Sequence, residues 1–287
     1  MGKPSIEEQL ENVLVMLDHH KELQGALELK KRTLLIQLEI DITPTKGLTI
    51  DWGNKETIKD LQQKALDKKL PIIYFLDPSK KELDVLTIAF KKLVQVFAEQ
   101  DISEEGLKNL LSHVESGKIS LLKLIEATLR ENINIIEEAA KESDVKTELL
   151  LYIISALIQP FLEEIARKID SQFPDKWWQG SCPVCGRIPA AAKNRCGKRF
   201  LVCTYCGTEY LSDNFFCVHC GNKDPYTLKF IAVEAKPEFK IDFCTKCNHY
   251  IKVIEENKLK DPIPKGFEDI LTLNLDFLAK DAGLVRN

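Results

Sequence analysis

The chain has 287 residues, 44% of them hydrophobic, and a formal charge of −4 from 40 Lys and Arg against 44 Asp and Glu. That length can bury the core of one large domain or two ordinary ones, and the acidic balance argues against a protein whose main task is gripping phosphate backbones. No segment reaches the ~20 apolar residues of a bilayer span, and residues 1–8 lack the apolar stretch of a signal peptide, so a cytoplasmic protein with no membrane span is expected.

Nine cysteines in a reducing compartment point to metal or redox chemistry more than to a disulfide framework. Charge is unevenly shared: residues 176–287 hold 17 Lys and Arg against 13 Asp and Glu, which leaves the front acidic. A divalent metal held by four thiolates adds about −2, so two filled sites would bring the back half to rough neutrality.

From Ser5 to about Glu39 the pattern is one long amphipathic helix. It opens on a Ser5/Glu8 capping box, with Ile6, Leu10, Val13, Leu14 and Leu17 at helical spacing. A loop marked by Pro44, Gly47 and Gly53 follows, then a helix over Thr57 to Lys69 that Pro71 ends. Asp77 and Pro78 read as cap and first turn of a helix running through Phe90, Leu93 and Phe97 to about Gln100, and Ser103 caps a shorter one. Further helices are expected over 120–142 and 144–172, the second kinked or divided by Pro160. Its apolar run from Leu149 to Ile158 reads as a core helix, with a contact to another subunit as the alternative. His19 and His20 are adjacent and so ~100° apart on a helix, which is not metal-site spacing and marks them as solvated.

Residues 1–172 thus read as an all-helical domain, and helical periodicity stops across residues 173–180. Short strands are expected beyond, for example Phe200 to Val202 and Phe230 to Val233. Past Pro262 and Pro264 helical spacing returns in Phe267, Ile270, Leu271, Leu275 and Leu278, a C-terminal helix over 261–287 that packs back onto the protein.

Four C-x-x-C pairs stand in the back third: Cys182/Cys185, Cys203/Cys206, Cys217/Cys220 and Cys244/Cys247. A two-residue gap lets both sulfurs of a pair reach one metal from a tight turn whose N–H groups point at the thiolates. The residue after each second cysteine is Gly186, Gly207, Gly221 or Asn248, all tolerant of the positive φ that closes such a knuckle. Seventeen residues separate Cys185 from Cys203 and twenty-three separate Cys220 from Cys244. These gaps favour sequential pairing into two ribbon-type sites, with an interleaved arrangement as the alternative. Four thiolates suit zinc or iron. His219 and His249 lie beside ligands but are not needed for either site.

Cys196 is the ninth cysteine, among Lys193, Arg195, Lys198 and Arg199. That field would lower a thiol pKa, making a reactive thiol or an anion-binding loop one reading and a spare cysteine in a solvated basic loop the other.

The motifs Cys182-Pro183-Val184-Cys185-Gly186 and Arg199-Phe200-Leu201-Val202-Cys203-Thr204-Tyr205-Cys206-Gly207-Thr208-Glu209 resemble the FdhE family of formate dehydrogenase accessory proteins. Gln159-Pro160-Phe161 and the closing stretches Glu268 to Leu273 and Leu275-Asp276 are similar to the family as well, so the resemblance covers roughly 149–287. Tyr210 departs from it, standing where the family usually has tryptophan.

The resemblance implies an all-helical N-terminal domain, two rubredoxin-like or zinc-ribbon-like modules at 180–212 and 213–260, and the C-terminal helix. It also implies two iron ions, or zinc, each held by four cysteines. The implied function is a maturation chaperone, not an enzyme, that binds the catalytic subunit of a molybdenum or tungsten formate dehydrogenase or its molybdopterin-type cofactor. Arg199, Thr208, Glu209 and Tyr210 are the expected partner-binding residues. The alternatives are a nucleic-acid-binding zinc ribbon, which the overall acidity opposes, and a rubredoxin-type electron carrier. No Gly-rich phosphate loop, nucleophile elbow or metalloprotease helix is present in the sequence.

Overall fold

The computed structural model describes residues 2–40, 54–78, 83–99, 104–169, 173, 176–177 and 179–286. The expected loop at Pro44, Gly47 and Gly53 and the cap at Ser103 lie outside them. Two compact units emerge, one formed by Ser5–Ile58 and Ile73–Glu164, the other by Met1–Pro4, Lys59–Ile72 and Ile165–Asn287.

The first unit is helical. Its chain begins with α1 (Ile6–His19), whose N-terminus is capped by Ser5 Oγ accepting from the Glu8 N–H at 3.2 Å. The single long helix expected here is instead a pair. After a short 3-10 turn at Lys21–Leu23, α2 (Gln24–Leu38) folds back to pack on α1. A straight rod over residues 5–39 would be about 50 Å long and leave its apolar stripe wet, whereas the pair buries Val13, Met16, Leu27 and Leu34.

Next in the chain come α3 (Lys55–Lys68), most of which belongs to the second unit, and then α4 (Leu83–Ala98) and α5 (Glu104–Glu115) of the first. Leu86, Phe90, Leu93 and Phe97 form the buried stripe of α4. The helix expected over 120–142 is broken into α6 (Leu121–Leu129) and α7 (Ile133–Ser143) by a turn in which Glu131 has φ +53°.

The helix α8 (Thr147–Lys168) corrects a further expectation, because it runs unbroken through Pro160. Proline removes the N–H that would serve the Ala156 carbonyl. That carbonyl instead accepts from Gln37 Nε2 at 2.8 Å, and Gln37 Nε2 also lies 3.2 Å from Gln159 Oε1. Gln159 Nε2 in turn donates to Glu163 Oε1 at 2.7 Å, and Gln9 Nε2 to Glu163 Oε2 at 2.8 Å. By length and composition α8 is apolar enough to cross a membrane, but 78% of its most apolar window is buried within the protein, the signature of a core helix.

The second unit carries one six-stranded sheet of β1 (Ala191–Arg195), β2 (Lys198–Val202), β3 (Glu209–Ser212), β4 (Leu228–Ala232), β5 (Phe239–Cys244) and β6 (Tyr250–Glu255). Their order is β3-β2-β1-β6-β5-β4. Each three-strand half is an antiparallel meander, and the halves join through a parallel pair, β1 with β6, in which Ala192 faces Val253. Two short helices close the chain, α9 (Glu268–Leu271) and α10 (Leu273–Asp281). Leu275 and Ala279 of α10 pack on Ile241 and Tyr250 of the sheet.

Buried cations pin this arrangement. Lys193 on β1 is 3% exposed and meets Glu268 at 2.9 Å, Glu209 at 3.3 Å and Glu256 at 3.6 Å. Lys252 on β6 is fully buried and reaches Asp269, its carbonyl, and Asp276 at 3.0 Å, and Arg286 binds the same two aspartates from the C-terminal tail. Removing one partner of such a pair would strand an uncompensated buried charge.

Candidate metal centres

Each C-x-x-C pair folds into the same knuckle. The first cysteine's N–H donates to the carbonyl five residues on: Cys182 to Arg187, Cys203 to Thr208, Cys217 to Asn222 and Cys244 to His249, at 2.8 to 3.0 Å. Its carbonyl accepts from the N–H four residues on, at Gly186, Gly207, Gly221 or Asn248, at 2.7 to 2.9 Å. Those four residues have φ of +77°, +81°, +70° and +60°, the left-handed geometry that favours glycine and then asparagine.

The knuckles associate in chain order, so the sequential pairing holds. Cys182, Cys185, Cys203 and Cys206 bring their sulfurs together in one group, and Cys217, Cys220, Cys244 and Cys247 in another. Across the knuckles, Cys185 and Cys203 sulfurs lie 3.3 Å apart and Cys182 and Cys206 3.5 Å in the first group, and Cys217 and Cys247 3.6 Å and Cys220 and Cys244 3.8 Å in the second. A tetrahedron with metal–sulfur bonds of about 2.3 Å has edges of about 3.8 Å, while a disulfide needs about 2.05 Å. Both groups could therefore hold a metal ion, and neither is a pair of disulfides.

The electrostatics agree. In the first group burial pushes the Cys182 and Cys185 thiols well up, while hydrogen bonds from Cys182, Cys185 and Cys206 hold Cys203 well down. Four sealed sulfurs cannot all ionise without a cation among them, and a bound dication would supply it. In the second group burial raises Cys217 to about 12. Burial also opposes ionisation of Cys244, but the N–H groups of Cys247 and Lys246 and the Asn222 amide outweigh it and bring that thiol to about 7.

The two groups differ in cover. All four cysteines of the first are buried, whereas Cys220 of the second is exposed and Cys247 half-buried. The N-terminal segment helps seal the first: Lys3, 1% exposed, donates from Nζ to the Tyr205 carbonyl at 2.7 Å and lies against Gly207. Arg187 stacks over the Tyr205 ring at 3.5 Å. Nothing in the spacing of the sequence marks Lys3, so this support was not legible there.

His219 and His249 belong to neither sulfur group. Their rings stack at 4.0 Å, His249 Nδ1 lies 2.8 Å from the Cys247 carbonyl, and burial lowers His219 to about 4. Cys196 is exposed at the β1–β2 turn with φ +50°. Two of its basic neighbours are engaged elsewhere, Lys193 with buried carboxylates and Arg195 with Glu256 at 2.5 Å and Glu209 at 3.4 Å, while Lys198 is exposed.

Arg199, Thr208, Glu209 and Tyr210 are all buried, at 4%, 2%, 6% and 0% exposure. Arg199 donates to the Asn214 and Phe216 carbonyls at 3.3 and 3.2 Å and lies 3.6 Å from Asp242, which ties β2 to the third knuckle. Burial lowers its pKa, against the pull of Asp242 and Cys217. Thr208 Oγ1 lies 3.1 Å from Cys206 Sγ, and Tyr210 donates to the Gly180 carbonyl at 2.9 Å.

The fold and the sulfur groups define a class: a helical region, then a sheet region with two zinc-ribbon-like four-cysteine clusters, then C-terminal helices. No protein-family model matches the chain. Its sequence is 29% identical over 186 residues to a protein named FdhE homolog from Aquifex aeolicus, covering 63% of this chain and 61% of that one. It is 26% identical over 189 residues to an FdhE homolog from Shewanella sp. strain MR-4, covering 62% and 61%. The chain thus spans about three fifths of the length of these curated relatives. The crystal structure of the FdhE protein from Pseudomonas aeruginosa shares the fold, with a TM-score of 0.60 over 99% of this chain and 95% of that one at 17% identity. The expected resemblance to FdhE proteins is borne out.

Proposed function

We propose that this protein is a formate dehydrogenase accessory protein that binds the catalytic subunit of a molybdenum or tungsten formate dehydrogenase during its maturation, in the cytoplasm and without conventional catalysis. The observation that carries the reading is the pair of four-cysteine groups on one sheet, in a chain similar to FdhE proteins along its fold. In this reading Cys182, Cys185, Cys203 and Cys206 hold one metal, and Cys217, Cys220, Cys244 and Cys247 hold another, iron in preference to zinc. The metals brace the two expected modules, 180–212 and 213–260, and the helical domain at 1–172 and the closing helix at 261–287 complete the expected organisation.

Because Arg199, Thr208, Glu209 and Tyr210 are buried, their part in binding is to hold the sheet and knuckles in shape. The surface above them is left to meet the subunit or its molybdopterin-type cofactor. The exposed Cys220 favours one second reading, a rubredoxin-type electron carrier, since electron transfer needs a centre near the surface.

A tagged copy purified anaerobically from native cells should bring down the formate dehydrogenase catalytic subunit at a fixed ratio. A copy that emerges without it, yet passes electrons reversibly to the assembled enzyme, would replace the chaperone reading by the carrier.

A further inference from the structure

Beside the second sulfur group the sheet leaves a cavity of about 440 Å³. Leu228, Phe230 and Ile251 line it from the strands, and Phe215, Phe216 and His219 from the third knuckle and its approach. Phe215 and Phe230 are 57% and 65% exposed, an apolar lip of the kind that marks binding surfaces.

The strand forming one wall, β4, is the last in the sheet order, and among the described residues no strand pairs with its outer side. Arg199 and His219 are among the residues around the cavity, and each carries a buried nitrogen, Nε and Nε2, with no hydrogen-bond partner among the described residues. Buried polar groups without partners are uncommon.

We propose that the open edge of β4 and this cavity form a docking site for an extended polypeptide segment that adds to the sheet as a further strand. The inference rests on the accessory-protein reading and names the surface through which the dehydrogenase subunit is held. An added strand meets β4 by backbone hydrogen bonding and places alternate side chains on its two faces. Leu228 and Phe230 share one face of the strand, on the cavity side; Lys229 and Ile231 share the other, where Ile231 packs toward Ile241 and Tyr250, although Lys229 also borders the cavity. Lys229 is exposed and has no ion pair among the described residues. The segment that fits therefore alternates apolar residues toward the cavity with at least one acidic residue toward Lys229.

A second copy of this chain fits less well. Two-fold antiparallel pairing centred on Phe230 sets the two Lys229 side chains diagonal to each other, about 7–8 Å apart with like charge.

The experiment uses the full chain with the formate dehydrogenase catalytic subunit. Phe230→Asp puts a charge on an exposed position, so melting temperature and metal content should stay as in wild type while recovery of the subunit falls at least tenfold. Benzoylphenylalanine at position 230 should crosslink to an apolar, alternating segment of the subunit, and the same probe at Val15 should not. If Phe230→Asp recovers as much subunit as wild type, the docking site is overturned and the accessory reading stands. If wild type recovers none, both fall. Crosslinks from position 230 to a second copy, with a doubled mass in solution, would replace the proposed occupant by the protein itself.

Discussion

Gln37 stands in for the backbone N–H that Pro160 lacks, and this substitution of one donor for another can be tested as a coupling. Gln37→Leu keeps the volume of a side chain only 1% exposed, but it removes the donor 2.8 Å from the Ala156 carbonyl and the contact 3.2 Å from Gln159 Oε1. Leaving buried acceptors unserved costs about 1–3 kcal/mol each, so a loss of about 2–4 kcal/mol is expected. Pro160→Ala restores an N–H that can reach the same carbonyl along the helix. In that background Gln37→Leu should therefore cost about 1–2 kcal/mol less. Urea unfolding of the four chains, followed by helical circular dichroism, closes the double-mutant cycle. If the cost of Gln37→Leu were the same in both backgrounds within about 0.5 kcal/mol, Gln37 would not be replacing the missing bond.

Other outcomes follow from the sealed and open sulfur groups and from the buried ion pairs. In metal-loaded protein challenged with chelator and an alkylating agent, Cys220 and Cys247 should be modified well before Cys182, Cys185, Cys203 and Cys206, which are 0–3% exposed; tryptic mass mapping reads the order. Gly207→Ala should destabilise by several times the ~1 kcal/mol expected of Gly221→Ala. Both adopt positive φ, but a Cβ at 207 would sit 2.5 Å from the Lys3 backbone nitrogen, while at 221 it meets nothing within 4 Å.

Burial opposes ionisation of Asp269, yet Lys252 and Arg286 outweigh it and hold its pKa below the ordinary value. That stability is present above the unfolded pKa of about 4 and is lost as pH falls through the lower folded value. Lys252→Met should cost about 3–5 kcal/mol near neutral pH, and its stability curve should flatten on the acid side.

How much of this was legible in the sequence depends on whether local chemistry or tertiary packing decides. The knuckles were legible because four sulfurs at fixed spacing and a residue tolerant of positive φ are local requirements, and Gly186, Gly207, Gly221 and Asn248 all adopt it. The strands β2 and β4 were marked by their β-branched and aromatic residues, but the parallel join of β1 to β6 was not. It depends on residues some sixty positions apart, such as Ala192 and Val253, and no periodicity reports such a pairing.

The turn at Lys21–Leu23 was hidden because the apolar period continues through it, and the need to bury both helices outweighs local propensity. The continuity of α8 through Pro160 was hidden because the replacement donor lies on another helix. Arg199, Thr208, Glu209 and Tyr210 were marked by a motif, and the motif is silent on burial. Their side chains turn inward to the third knuckle, the first sulfur group and the Gly180 carbonyl.

The claim on which the rest depends is that the two sulfur groups are two metal centres, and metal analysis of the full chain purified anaerobically tests it directly. Two metal atoms per chain are expected, with iron exceeding zinc. Cys220→Ser should lower the count to one, with the helical signal and the first centre retained. A folded wild-type chain that carries no metal, or a Cys220→Ser chain that still carries two, would contradict it.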